Sequence, residues 1–78
     1  MITDTKDTLL KLFNDLGIFL EDWEYKEPLL LDSLQFILLV VEIENTFCIE
    51  IGEEELAKYS MDTFNDILLV VDLLLSSR

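Results

Sequence analysis

The run Leu31-Asp32-Ser33-Leu34-Gln35-Phe36-Ile37-Leu38-Leu39-Val40-Val41-Glu42-Ile43-Glu44-Asn45-Thr46-Phe47 decides the fold. Asp32 is a candidate N-cap, because its carboxylate can accept from the unpaired N–H groups of a first helical turn. Ser33 then falls in that turn with its hydroxyl toward solvent, beside N–H groups that favour a phosphate. Two apolar stripes follow at helical spacing. Phe36, Leu39, Val40, Ile43 and Phe47 form one, and Leu34, Ile37, Leu38 and Val41 form the other. A helix that is apolar nearly all round is either buried on both sides or offers one side to a partner. A small domain cannot bury both sides well. The first stripe is therefore assigned to the core. The second is assigned to an exposed docking surface edged by Gln35, Glu42, Glu44 and Asn45, the kind of patch that marks an interaction site. The competing reading has the preceding loop covering it.

That loop spans residues 18–32. Ile18, Phe19, Leu20, Trp23 and Tyr25 alternate irregularly with Glu21, Asp22, Glu24 and Glu27, and the mixture fits neither helical nor strand period. Pro28 biases Glu27 away from the helical region. Long connections of this kind are often functional. Its aromatics predict a loop pinned to the bundle, with Trp23 plugging the core rather than serving as a ligand platform.

Before the loop, a first helix is predicted to start near Thr3 or Thr5, with Asp4 and Asp7 in a first turn whose dipole favours them. Leu9, Leu12, Phe13 and Leu16 give it one buried face, and Gly17 is a natural stop. After the second helix, Cys48 stands where a helix often ends in Gly, and a packing or turn role is expected for it. No basic neighbour is present to activate its thiol. Glu53 to Tyr59 reads as a short third helix with Leu56, Ala57 and Tyr59 as its apolar contacts. Its Glu53-Glu54-Glu55 start lacks the spacing and Gly of a calcium loop. A fourth helix begins at Asp62 or Thr63, where Thr63-Phe64-Asn65-Asp66 is similar to a capping box with Asp in place of Glu. Phe64, Ile67, Leu68, Val71 and Leu74/Leu75 supply its buried face, and Ser76-Ser77-Arg78 is expected to fray. The sum is an all-α bundle with three main helices, one short third helix and a long first loop, forming a single domain over residues 1–78.

Composition agrees. With 51% hydrophobic residues, packing can stabilise so small a domain without a metal or disulfide, and two glycines and one proline leave few helix breakers. A net charge of −12 argues against nucleic-acid backbones and anionic membranes. It leaves open a basic partner surface or a solvated acidic surface that keeps the chain dissolved. The single cysteine excludes an internal disulfide and a cysteine metal cage, and suits a reducing cytoplasm. The longest apolar run, Phe36 to Val41, falls far short of the roughly 20 residues of a membrane span.

The absence of histidine removes Ser-His-Asp and Cys-His catalysis and most zinc sites. Ser33 lacks a Gly-x-Ser-x-Gly elbow, and Gly17 and Gly52 cannot make a phosphate-cradling loop. The chain is not expected to be an enzyme.

Asp32-Ser33-Leu34 resembles the Asp-Ser-Leu motif of the acyl carrier and peptidyl carrier protein superfamily. The helix that follows ends Val41-Glu42-Ile43-Glu44-Asn45-Thr46-Phe47-Cys48-Ile49-Glu50-Ile51, similar to that family's E-x-E-x-x-F-x-I-x-I pattern. The helix order, the long first loop and the short third helix also agree, so the resemblance covers nearly the whole chain. It implies an acyl-carrier-like bundle in which Ser33, flanked by Asp32 and Leu34, receives a 4′-phosphopantetheine arm. A phosphopantetheinyl transferase (holo-carrier synthase) would use coenzyme A and Mg²⁺. The arm's thiol would carry acyl or aminoacyl groups as thioesters to partner enzymes with basic surfaces. Leu34, Gln35, Ile37, Leu38, Val41, Glu42, Glu44 and Asn45 would meet those partners, and the carrier would be a cytoplasmic monomer. Asp32 and Glu42 would repel the new phosphate.

The chain departs from the family where Leu31 replaces a common Gly and where Gln35 and Phe36 follow the triplet in place of an acid. The outer face of the second helix is also less acidic than in fatty-acid carriers. These departures point to a dedicated polyketide, nonribosomal peptide or other acyl-transfer pathway. A housekeeping fatty-acid carrier and a D-alanyl carrier are the alternatives. The reading from another class is an acidic helical adaptor or inhibitor without a prosthetic group.

Overall fold

The computed structural model describes residues 4–77 and forms four helices in them, α1 (Thr5–Asp15), α2 (Ser33–Phe47), α3 (Glu53–Lys58) and α4 (Phe64–Ser76). α1 packs against both α2 and α4. The molecule measures 34 × 30 × 19 Å. The core lies between α1, α2 and α4. No described helix is long and apolar enough to cross a membrane.

Each helix end has a chemical cause. Asp4 caps α1 by accepting from the Lys6 N–H at 3.1 Å. The expected start at Thr5 is the observed one, but Asp4, expected inside the first turn, caps the helix from just before it; Thr3 lies outside the described residues. Gly17, at φ 84°, closes α1. Its N–H reaches the Asn14 carbonyl and the Ile18 N–H reaches the Phe13 carbonyl, both at 2.9 Å, the paired closure that a left-handed residue permits. α2 ends the same way with a residue that carries a side chain. Cys48 takes φ 55° and ψ 46°, and the N–H groups of Cys48 and Ile49 both donate to the Glu44 carbonyl. The expected turn role of Cys48 is the observed one, with its thiol exposed.

Thr63 caps α4, its hydroxyl accepting from the Asp66 N–H at 3.0 Å. The Asp66 carboxylate accepts from the Ser60 hydroxyl at 3.4 Å. The C-terminal end is capped rather than frayed, because the Ser77 hydroxyl donates to the Leu73 carbonyl at 2.9 Å. Arg78 lies outside the described residues.

The core takes Leu9, Leu12 and Phe13 from α1, Leu39, Val40 and Ile43 from α2, and Phe64, Ile67, Val70 and Val71 from α4. Ile49, Ile51 and Met61 enter from the connections. Val70 was not among the expected core residues, whereas Leu68, Leu74 and Leu75 sit half-buried at its margin. α3 buries no residue. Of its three expected contacts, Tyr59 packs on the core from just beyond the helix, and Leu56 and Ala57 are exposed.

The first connection is pinned by an aromatic, as expected, but by Tyr25 and not by Trp23. Tyr25 stacks on Phe64 with centroids 4.8 Å apart, and Phe13 meets Phe64 edge-on at 5.2 Å. The Tyr25 carbonyl accepts from the Asn65 N–H at 3.0 Å, and the Leu29 N–H donates to the Asp62 carbonyl at 2.7 Å. Pro28 and Thr63 pair as an isolated bridge. Trp23 is 65% exposed and so does not plug the core. It rides on a short 3₁₀ turn, Asp22–Glu24, while Tyr25 two residues on takes the inward seat.

Two predictions follow from these contacts. Cys48→Gly removes the Cβ crowding of the left-handed conformation and is expected to stabilise the fold by about 1 kcal/mol. For a domain of this size that is a rise in Tm of roughly 4–8 °C, read from thermal melts by circular dichroism. An unchanged Tm would show that the thiol contributes as much as its backbone costs. The second concerns Tyr25. Desolvation, the nearby carboxylates of Asp22, Glu21 and Asp7, and a hydrogen bond to Asp22 raise its phenol above the usual 10.0. Lys6 lies over the ring, 4.9 Å from its centroid. The folded chain keeps a proton there that the unfolded chain loses, so this contribution is whole below pH 10 and declines as pH rises through the raised value. Tyr25→Phe is expected to flatten that decline in urea midpoints taken from about pH 9 to about pH 11. A slope equal to the parent's would remove Tyr25 as its source.

Candidate functional site

Ser33 is the first residue of α2 and is exposed. Its place is set by Asp32, whose extended backbone, at φ −77° and ψ 174°, turns into the helix there. Asp32 Oδ1 accepts from the Gln35 N–H at 2.8 Å, and Gln35 Oε1 accepts from the Asp32 N–H at 3.2 Å. The Asp32 carbonyl takes the Phe36 N–H at 2.9 Å. Gln35 therefore closes a reciprocal cap, a role not foreseen for it, although the spacing Asp-x-x-Gln is the capping-box signal.

A cleft of about 530 Å³ opens beside Ser33. Leu29, Leu31, Asp32, Ser33 and Phe36 form one wall; Leu56, Tyr59, Ser60, Met61 and Asp62 form the other. Leu31, which stands where a Gly was expected from the resemblance, is half-buried and lines this cleft. The lining mixes hydroxyl and carboxylate groups with apolar side chains. The Ser60 hydroxyl lies 3.2 Å from Asp62 Oδ2.

The expected docking residues divide into two groups. Leu34, Ile37, Leu38 and Val41 stand exposed on the side of α2 opposite Leu39, Val40 and Ile43, from 66% for Leu34 to 43% for Val41, and the loop does not cover them. Gln35, Glu42 and Asn45 are exposed beside them. Glu44 is not a free rim charge. It is half-buried, and its Oε2 accepts from the Ile51 N–H at 2.9 Å, tying the end of α2 to the next connection. Glu42 is also misplaced as a neighbour of Ser33. Nine residues carry it about 13 Å along the axis and to the opposite side of the helix. There it lines a depression of about 220 Å³ with Thr8, Lys11 and Asp15 of α1. The acids that do share the cleft with Ser33 are Asp32 and Asp62.

Chemically, the site offers one exposed hydroxyl at a helix start, where the dipole and unpaired N–H groups favour an attached anion. Among the described residues, no group of three or more His, Cys, Asp or Glu is placed to hold a metal ion. Comparison with protein-family models, with curated proteins and with solved structures found no match to the chain.

Asp32→Ala removes the side-chain half of the cap and is expected to cost about 1 kcal/mol, with Asp32→Asn close to the parent. Chemical denaturation of the three proteins reads this directly. Equal losses in both variants would mean that the carboxylate's charge, and not its hydrogen bond to Gln35, holds the helix start.

Proposed function

We propose that this chain is a carrier protein of the acyl and peptidyl carrier type, with Ser33 as the attachment point of 4′-phosphopantetheine. The observation that carries the reading is the placement of Ser33: exposed, first in α2, within Asp32-Ser33-Leu34, and at the edge of a cleft of about 530 Å³. In the transfer step, Ser33 Oγ bonds to the phosphorus that bears the pantetheine in coenzyme A. The bond from that phosphorus to the bridging oxygen of the pyrophosphate breaks, adenosine 3′,5′-bisphosphate departs, and the hydroxyl proton is lost to the transferase. The residues present suit the resulting group. The phosphodiester would sit at the helix start, where the dipole offsets part of its repulsion from Asp32. The cleft's mixed wall, with Phe36, Leu56 and Met61 beside Tyr59 and Ser60, suits an arm that alternates amides with methyl groups. When bound, the group supplies a thiol on which acyl or aminoacyl cargo is held as a thioester.

The exposed stripe of Leu34, Ile37, Leu38 and Val41 is the surface we assign to partner enzymes. From Glu27 to Ala57 the sequence contains Glu and Asp but no Lys or Arg. That asymmetry would steer basic partners toward the α2 side, with apolar contact then holding them. A surface of this composition supports a dedicated acyl or aminoacyl pathway over a housekeeping fatty-acid one; the family resemblance implies a monomer, and the single cysteine suits the cytoplasm. The exposed stripe would equally serve an acidic adaptor without a prosthetic group, which is the second reading.

Incubation with coenzyme A, Mg²⁺ and a broad-specificity phosphopantetheinyl transferase, followed by intact-protein mass spectrometry, separates the two. One phosphopantetheine is expected on the parent and none on Ser33→Ala. No addition to the folded parent with several transferases would leave the adaptor reading in place.

A further inference from the structure

The long connection carries a second surface that the carrier reading does not use. Phe19 and Trp23 are 73% and 65% exposed, the most open aromatic side chains of that connection. Trp23 is held outward by its neighbours. Tyr25 occupies the inward seat against Phe64, and its backbone is tied to Asn65. The turn beneath Trp23 is closed twice, by the Glu24 N–H to the Glu21 carbonyl at 2.8 Å and by the Glu21 N–H to Glu24 Oε1 at 2.9 Å. An exposed indole on a pre-formed turn loses little entropy on binding. Its setting is anionic, with Glu21, Asp22 and Glu24 surrounding it in sequence. Cation–ring contacts elsewhere put Lys6 over Tyr25 and Lys58 over Tyr59. Among the described residues, no such cation covers Trp23.

We propose that this turn is a docking site for an arginine-bearing segment of a protein partner, the guanidinium lying on the Trp23 face and the flanking carboxylates supplying the complementary charge. Arginine is favoured over lysine because its planar, weakly hydrated head stacks on an aromatic face while its N–H groups reach carboxylates. The site is independent of Ser33 and of any group attached there.

The test uses the full chain, dye-labelled octa-arginine and octa-lysine peptides, and fluorescence anisotropy. Trp23 is the sole tryptophan, so its emission gives a second readout on the unaltered protein. Octa-arginine is expected to bind more tightly than octa-lysine and to change Trp23 emission at saturation. Trp23→Leu is expected to weaken octa-arginine binding about three- to fivefold and to remove the preference over lysine. Replacing Glu53, Glu54 and Glu55 together by Gln, which lowers the charge on α3, is expected to preserve that preference, as is Ser33→Ala. Unchanged Trp23 emission at saturating octa-arginine, or a preference that survives Trp23→Leu, would overturn the proposal.

Discussion

The seating of Phe64 between Phe13 and Tyr25 is the contact on which the rest of the structure depends. One ring from α4 meets α1 edge-on and Tyr25 of the long connection at a tilt of 33°. Buried aromatic pairs of this kind contribute about 0.5–1.5 kcal/mol each beyond the area they bury. Their geometric effect is larger. With Tyr25 fixed, the Asn65 N–H finds its carbonyl, and Leu29 then pairs with Asp62 across the short Pro28–Thr63 bridge. The connection is thereby laid against the start of α4, and Asp32 arrives where α2 must begin. The position of Ser33 is thus set by the seating of the long connection on the start of α4 as well as by its local cap.

Local chemistry then finishes what the packing begins. Asp32 and Gln35 close the α2 start reciprocally, and Glu44 closes its end with both its carbonyl and its carboxylate. Between these ends α2 needs no polar contact of its own. Its two apolar stripes can therefore do different things, one filling the core and one facing water. Among the described residues, no element covers the outer stripe.

Much of this was legible in the sequence, for identifiable reasons. The spacing of Leu9, Leu12 and Phe13, the stop at Gly17, the cap at Asp32 and both stripes of α2 are encoded by neighbours three or four residues apart, where helical geometry makes local inference strong. α4 is apolar on nearly every side, so its period could not single out Val70 from Leu68 or Leu74. The choice between Trp23 and Tyr25 was invisible for another reason. In a connection without period, the inward residue is selected by pairing with residues 62–65, which are distant in sequence. The partner of Glu44, the Ile51 N–H, lies seven residues away around a turn, beyond the reach of any helical pattern. For the site, the motif and its exposure were readable, whereas the cleft arises only when the end of the long connection meets α3 and the residues after it.

α3 gives the cleft a property that a single volume does not convey. This helix buries no residue of its own, yet Leu56 and the neighbouring Tyr59, Ser60, Met61 and Asp62 make up one wall. Segments with few buried apolar contacts open locally at a free energy well below that of global unfolding. The wall opposite takes Ser33 and Phe36 from α2, a helix anchored by Leu39, Val40 and Ile43. The wall on the α3 side is uneven: Met61 sits in the core and the Asp62 carbonyl is bonded to the Leu29 N–H across the cleft, whereas the α3 part that carries Leu56 is its loosest stretch, and there the cleft's width becomes a distribution. Amide exchange would report that distribution as early labelling of residues 53–58 against slow labelling of the α2 interior.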